Sequence, residues 1–453
     1  MRKLRQIKAK WMDRYLPALL ELPAFFRHLR LRVDQLERSE RKLVYLQREI
    51  QKCRAAQKQQ SGARIHVVFV CHMPAAWGKL RPVYSALKND PAFHVTVVAL
   101  PYRHPNAARG DYKDGGMADY LRSEEAIEPV LGYNASTGEW LDLQHFAPDY
   151  VFFQTPYDPF PYPFTSDCVS AFARVCYVPY YGVLLYEGEV ENVTHPRGFF
   201  RNASLVFVAH QAERSELLKR FPDMDASSVF TVGCPAFERI QESQTASGRA
   251  WNLPRSPAST RILWTPRWRT SEGNCHFFDY KDYFMELARK NSDIDFLFRP
   301  HPLSLKHFAA TGEFPQTEQD AMVKEYASLP NAGIDASGDY HDLFLSSDIL
   351  VSDMSSMIAE YFLTGKPIVY THRTDSFNHF GRELSAGLYW ARNQTELDGL
   401  LRTLRRGDDP LKEKRQELID NLYVRPAGGA SELIKTILKD RFREDAVVNP
   451  PQA

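Results

Sequence analysis

No stretch of this 453-residue chain approaches the roughly 18 continuous apolar residues that a bilayer-crossing helix needs. The N-terminal MRKLRQIKAKWMDRYLPALLELPAFF comes nearest. Asp13, Arg14 and Glu21 interrupt its apolar run and Pro17 and Pro23 break it, which argues against both a span and a signal peptide. Cysteine is scarce and scattered: Cys53, Cys71, Cys168, Cys176, Cys234 and Cys275 form no C-x-x-C pair, as suits reduced thiols in a cytosolic protein. Cys71-His72 and Cys275-His276 are adjacent pairs, and strand neighbours point to opposite faces, so zinc is not expected at either. No metal set is expected, and assistance by Mg2+ is left open. No internal repeat of roughly 20 to 50 residues is present, which excludes a solenoid.

The net charge of +1 hides an asymmetry. Sixteen of the 57 Lys and Arg but only six of the 56 Asp and Glu fall in positions 1–60, so a basic arm near +10 precedes a body near −9. With an acidic body and no recognition motif, a nucleic-acid partner is not expected. In the arm, Leu16, Leu19, Leu20, Phe25 and Phe26 with flanking cations suit a helix lying on anionic lipid, and equally a solvated helix. Leu29, Leu36, Leu43 and Ile50 recur every seven residues like a coiled-coil seam. The partner positions hold Arg32 and Ser39, with only Leu46 apolar, so packing on the protein's own body and a short dimer helix fit equally well.

Beyond the linker 57–62 the pattern becomes α/β. Apolar strand candidates at 65–70, 94–100, 150–153, 175–178, 205–208 and 230–232 alternate with helical stretches, and a second series starts near Arg261, Asp295, Asn331, Asp348, Lys366 and Gly387. A Ser-, Ala-, Gly- and Pro-rich break at 241–259 separates them. The length and hydrophobic fraction of 44% support two cores. The expected organisation is a helical arm (1–60), a first Rossmann-like domain (61–245) and a second (246–445) facing it across a cleft, with C-terminal helices that cross back.

The segment Tyr340 to Tyr370 is the most informative. Ile349, Leu350 and Val351 read as a buried strand, Met357, Ile358, Tyr361 and Phe362 recur at helical spacing, and Asp353-Met354-Ser355-Ser356 joins them. A helix start offers unpaired N–H groups and the serines add donors, so a phosphoryl oxygen is favoured there, although Asp and Ser are also ordinary N-cap residues. Glu360 follows one turn after Ser356 on the same face. Arg267 and Arg269 follow the strand that starts at Arg261, and Arg299 and His301 follow Phe296-Leu-Phe298. All lie just past the carboxyl ends of parallel strands, where open α/β sheets bind ligands. The arginines suit phosphate clamps. His301, between Pro300 and Pro302, suits acid/base work. In the first half His72 and Lys79 follow the first strand and face the expected cleft; Tyr181, near Tyr180 and Gly182, suits a hydrogen bond to a ligand there. The aromatic loop Tyr157 to Phe164 suits a lid or plain packing.

These motifs resemble the CDP-glycerol glycerophosphotransferases, the family of teichoic acid primases and polymerases. They occur in the family's order: Thr265-Pro266-Arg267-Trp268-Arg269, Arg299-Pro300-His301-Pro302, Asp342-Leu343 with Asp348, Leu350 and Ser352-Asp353-Met354-Ser355-Ser356, then Lys366-Pro367-Ile368. Phe230 to Pro235 and Gly428 to Glu432 match flanking motifs, so the likeness covers roughly 200–440. Two departures stand out. Tyr181 occupies the place of the histidine in the family's Trp-His-Gly, leaving His72 or His195 to substitute, and Met354 replaces a tyrosine. The resemblance implies a GT-B fold and transfer of glycerol phosphate, or a related polyol phosphate, from a CDP-linked donor to a polymeric or lipid-linked acceptor, with CMP released, the first domain, including Tyr181, serving the acceptor and the second the nucleotide donor. It also implies work at the inner face of the cell membrane, reached through the arm, with a homo-oligomer as a further expectation. An inverting glycosyltransferase using a nucleotide-sugar donor for capsule or surface polysaccharide is the alternative. A catalytically reduced polymer-binding scaffold is the alternative from another class.

Overall fold

The computed structural model describes residues 45–47, 49–101, 112, 114–157, 162–180, 183, 185–186, 197–238, 240, 251, 253, 259–273, 275–335, 340–371 and 376–447. Tyr181, Gly182, His195, most of the 241–259 break, the interior of the aromatic loop and the arm before residue 45 lie outside them. Residues 64–441 form one compact unit; the helix at 45–47 and 49–61 belongs to a second unit, together with the chain beyond 441.

The first sheet has seven parallel strands: β1 (Ile65–Cys71), β2 (Phe93–Ala99), β3 (Val130–Leu131), β4 (Tyr150–Phe153), β5 (Arg174–Tyr177), β6 (Ala203–Val208) and β7 (Val229–Thr231), ordered β3-β2-β1-β4-β5-β6-β7. The second has six: β8 (Thr260–Thr265), β9 (Ile294–Phe298), β10 (Ala332–Ile334), β11 (Ile349–Ser352), β12 (Ile368–Thr371) and β13 (Tyr389–Ala391), ordered β10-β9-β8-β11-β12-β13. The first six strands of each sheet follow one order. Each sheet therefore has a switch point between its first and fourth strands, β1/β4 and β8/β11, where the chain turns from one side of the sheet to the other.

The strands that flank these switch points are buried on both faces, as continuous apolar runs require. The same device registers both pairs. Asp149, just before β4, accepts the His66 N–H of β1 at 2.7 Å, and Asp348, just before β11, accepts the Arg261 N–H of β8 at 2.8 Å. Trp264 anchors the end of β8 within an aromatic core, its ring 4.7 Å from that of Phe284 and 4.8 Å from that of Phe298. The strand expectations fit to within a residue or two. The short edge strand β3 and the hairpin of Tyr133–Asn134 with Glu139–Trp140 were not expected, being too short for a periodic signal.

One hydrophobic cluster joins the two halves, bringing Val183, Leu185, Phe237 and Ile240 against Met354, Phe377, Phe380 and Tyr423. The C-terminal helix (Ala430–Ala446) returns to the first sheet: Tyr150 Oη donates to the Leu438 carbonyl at 3.0 Å and Lys439 reaches Asp90 at 2.5 Å. Two of the quoted motifs serve this return. Gly233 has φ +86°, and a Cβ there would stand 2.4 Å from the Val424 carbonyl oxygen, so no other residue fits. Glu238 accepts both the N–H and the Oγ–H of Ser431 at 2.6 Å, which fixes the start of the helix.

Candidate functional site

The site is assembled at the carboxyl ends of β8, β9 and β11. Register pairs Thr265 with Ser352 and Trp264 with Phe298, so Arg267, Arg299 and Asp353 emerge side by side. Thr265 Oγ1 donates to Ser352 Oγ at 2.9 Å, and Ser352 Oγ donates to the Thr265 carbonyl at 2.8 Å, pinning the strand ends. Asp353 is buried. One carboxylate oxygen accepts the Arg267 N–H at 2.6 Å and the other the His276 N–H at 2.9 Å, at the start of the helix Phe277–Lys290. Desolvation raises its pKa to about 7 against the pull of those two N–H donors and of Arg267. Asp353 thus ties the β8 turn to the β11 turn.

Those groups are basic or hydroxylic. Arg267 Nη1 donates to the Met354 carbonyl at 3.0 Å, which lays the guanidinium over the serine turn. Ser355 is half-buried and its Oγ accepts the Met357 N–H at 3.2 Å, while Ser356 is exposed. The cap expected at this turn is therefore made by Ser355. The helix it starts, Met357–Phe362, has only six residues, so affinity for an anion here rests on serine and arginine donors more than on a macrodipole. Arg299 pairs with Asp335 and sits 5.0 Å over the Tyr340 ring. Arg269 is exposed and lies 4.2 Å over the Trp268 ring.

His301 stacks on Trp268, with ring centroids 5.7 Å apart. Its Nδ1 accepts the Leu303 N–H at 3.2 Å, so the neutral ring carries its proton on Nε2 and presents a donor. Desolvation, then the Arg267 and Arg299 charges, lower its pKa to about 4. Because the residue keeps an exposed edge, the two charges are the firmer cause.

The first half presents a different set. Past β1, His72 is buried and desolvation lowers its pKa to about 4, which keeps it neutral. Gln154, just past β4, accepts the N–H groups of His72 and Met73 at 2.9 and 2.8 Å. Past β5, Tyr180 shares a 2.7 Å hydrogen bond with Tyr157.

Lys79 reaches across to the second half and meets Glu360 at 3.1 Å. Glu360 also accepts from Tyr340 Oη at 2.8 Å and lies 3.4 Å from His341 Nε2. Desolvation opposes both charges, yet mutual attraction raises the Lys79 pKa and holds Glu360 at about 2, so the pair is ionised. Sequence reasoning singled out Lys79 and Glu360 separately and missed their pairing, as well as Tyr340, His341 and Asp335. No local pattern links positions 281 residues apart. Lys366, a motif residue, donates to the carbonyls of Phe344, Leu345 and Ser347 and so caps the helix His341–Ser346. Cys275 and His276 precede a helix where a strand was expected. Among the described residues no group of three or more His, Cys, Asp or Glu is placed to hold a metal ion.

Two doubly wound sheets joined by a returning C-terminal helix make this a GT-B-like protein. Residues 199–436 match the family of CDP-glycerol:poly(glycerophosphate) glycerophosphotransferases, and the chain belongs to that family. Over 167 residues it is 25% identical to the teichoic acid glycerol-phosphate primase of Bacillus spizizenii, a match covering 36% of this chain and 39% of that protein. The chain thus spans well under half the length of that relative. Among solved structures, S. aureus MnaA with UDP aligns at a TM-score of 0.57 and 15% identity over 85% of this chain and 99% of its own. The UDP-GlcNAc 2-epimerase of Neisseria meningitidis aligns at 0.56 and 15% identity over 83% and 100% of the two chains. The wall teichoic acid polymerase TagF aligns at 0.52 and 13% identity over 84% and 90%. At these identities the likeness is one of fold.

Proposed function

We propose that this protein transfers glycerol phosphate, or a related polyol phosphate, from a CDP-linked donor to a hydroxyl of an envelope polymer or lipid-linked acceptor. The new bond joins the acceptor oxygen to the donor's distal phosphorus, the bridging phosphorus–oxygen bond breaks, and CMP leaves. The observation that carries this reading is the convergence of Arg267, Arg299, His301, Ser355 and Ser356 at the β8/β11 switch point, with Asp353 fixing two of the turns. Family membership supports the same chemistry.

In this reading Arg267, Arg269 and Arg299 neutralise the diphosphate, and Ser355 and Ser356 donate to the oxygens that gain charge as CMP departs. His301 offers Nε2–H to the same oxygens. Its Nδ1 lone pair is engaged by Leu303, so the group that takes the acceptor's proton comes from the first half, where neutral His72 and Tyr181 are the candidates. Glu360, paired to Lys79, orients the nucleotide side of the cleft. Among the described residues no helix is long and apolar enough to cross a membrane. The enzyme works at the inner membrane face by peripheral contact through its basic arm.

The test is CMP release from CDP-glycerol and CDP-ribitol, with and without a polyol-phosphate primer and with EDTA as an arm for Mg2+. Primer-dependent CMP release supports the reading. Release of UDP or GDP from nucleotide sugars under the same conditions overturns it in favour of a glycosyltransferase, and no release from any donor overturns it in favour of a binding protein.

A further inference from the structure

The helix at 45–47 and 49–61 buries the wrong face for its sequence. Ala55 is only 3% exposed and Gln51 and Lys58 are half-buried, so the packed stripe runs through 51, 55 and 58. The apolar heptad positions lie one residue back, about 100° around the helix. Leu46 is 53% and Ile50 49% exposed, and Cys53 and Gln57 on the same stripe are also exposed. Spacings of four, three and four residues make 46, 50, 53 and 57 one continuous seam in positions d, a, d and a. In the sequence the same seven-residue spacing runs on through Leu43, Leu36 and Leu29.

We infer that this seam is covered by the same helix of a second copy of the chain, paired in parallel. Three features select that occupant. A β-branched residue at a, Ile50, with leucine at d, Leu46, is the combination that favours two-stranded parallel coiled coils. The flanking charges are self-complementary: in a parallel pair position g meets position e of the next heptad, so Glu49 of each chain meets Arg54 of the other, on both sides of the seam. Among the described residues Glu49 bonds to Lys52 at 2.8 Å, with the two side chains 40% and 44% exposed, so that bond exchanges at little cost. A lipid surface, by contrast, favours an apolar stripe bordered by cations alone, and Glu49 on the border opposes it.

Pairing here brings two copies of the chain together through their arms and uses none of the residues assigned to donor binding. It gives a polymer-directed enzyme two linked sites, raising the effective concentration of the second site for an acceptor held by the first.

Light scattering on the full-length protein after gel filtration tests the pairing. The expected result is a mass of two chains for the wild type and of one chain for L46E/I50E, with far-UV circular dichroism unchanged and CMP release per chain unchanged at saturating primer. Glu49→Arg should weaken the dimer several-fold, and E49R/R54E should restore it. Mild oxidation should link wild-type chains through Cys53 into a band of twice the mass, absent in Cys53→Ser. A monomeric wild type, a dimer indifferent to L46E/I50E, or a Cys53 that never cross-links overturns the proposal. So does a monomer whose binding to phosphatidylserine vesicles is abolished by L46E/I50E, because the seam then belongs to lipid.

Discussion

Gln154 and Asp353 occupy the same place in the two sheets. Each follows the fourth strand, and each accepts backbone N–H groups from the turn that follows the first strand, His72 and Met73 in one case and Arg267 in the other. The scaffold is repeated, down to the aspartates that register β4 on β1 and β11 on β8. The chemistry is not. Beside Gln154 stands neutral His72, with the Tyr157–Tyr180 pair past the neighbouring strand; beside Asp353 stand Arg267 and the serine turn, with Arg299 past a neighbouring strand. One topological device therefore makes two sites of opposite character. The cationic one matches the diphosphate of the proposed donor, and the neutral one the hydroxyl of the proposed acceptor.

The largest expected effect comes from the contact that joins the halves. Lys79→Met leaves Glu360 buried without its cation and should destabilise the protein by about 3–5 kcal/mol in urea unfolding, with K79M/E360Q recovering most of the loss. If K79M is neutral, the halves are not held by this pair. The sign with pH follows from Glu360. Its pKa falls from 4.5 to about 2 on folding, so the stabilisation is complete above 4.5 and is lost as the pH falls toward 2.

Next comes the contrast itself. Asp353→Ala strands the N–H groups of Arg267 and His276 and loosens the turn that carries the Arg267 guanidinium, so kcat/KM for the donor should fall by roughly 10²-fold. Gln154→Ala should leave the donor dissociation constant within about twofold and act on acceptor use instead. Equal loss of donor affinity in both variants would erase the distinction between the halves.

His301 gives a smaller, pH-resolved effect. Its folded pKa of about 4 lies below the ordinary 6.5, so the neutral ring is the working form, and its contribution to stability is full above 6.5 and lost as the pH falls toward 4. Protonation at Nδ1 breaks the Leu303 bond that orients the ring, and His72 ionises in the same range, so the acid limb of kcat/KM should lie well below 6.5 and become less steep in His301→Gln. Activity that rises as the pH drops would mean that the protonated ring is required. The smallest effect is Tyr180→Phe, which removes one hydrogen bond to Tyr157 and should cost about 0.5–1.5 kcal/mol of stability without changing CMP affinity.

What could be read from sequence follows the same division. The second half announces itself because its polar residues interrupt apolar strands at regular places: Arg267, Arg299, His301 and Ser355 each follow a strand directly, and their neighbourhood follows from parallel pairing alone. The first half hides its site because neutral residues at strand ends look like core. Gln154 carries no signal as a turn clamp, and His72 reads equally as a buried histidine. Contacts between the halves are illegible for a different reason. The Lys79–Glu360 pair and the Glu238–Ser431 clasp depend on how two sheets dock, which no local periodicity encodes. Lys366 shows the converse: a motif residue can be there to cap a helix.

The most direct measurement is the thermal shift given by CDP-glycerol and CMP in the wild type, Arg299→Ala and His72→Ala, since a ligand that binds only the native state raises the unfolding midpoint. A shift is expected in the wild type and in His72→Ala, with its loss in Arg299→Ala. A shift that survives Arg299→Ala but vanishes in His72→Ala would place the donor in the first half and contradict it.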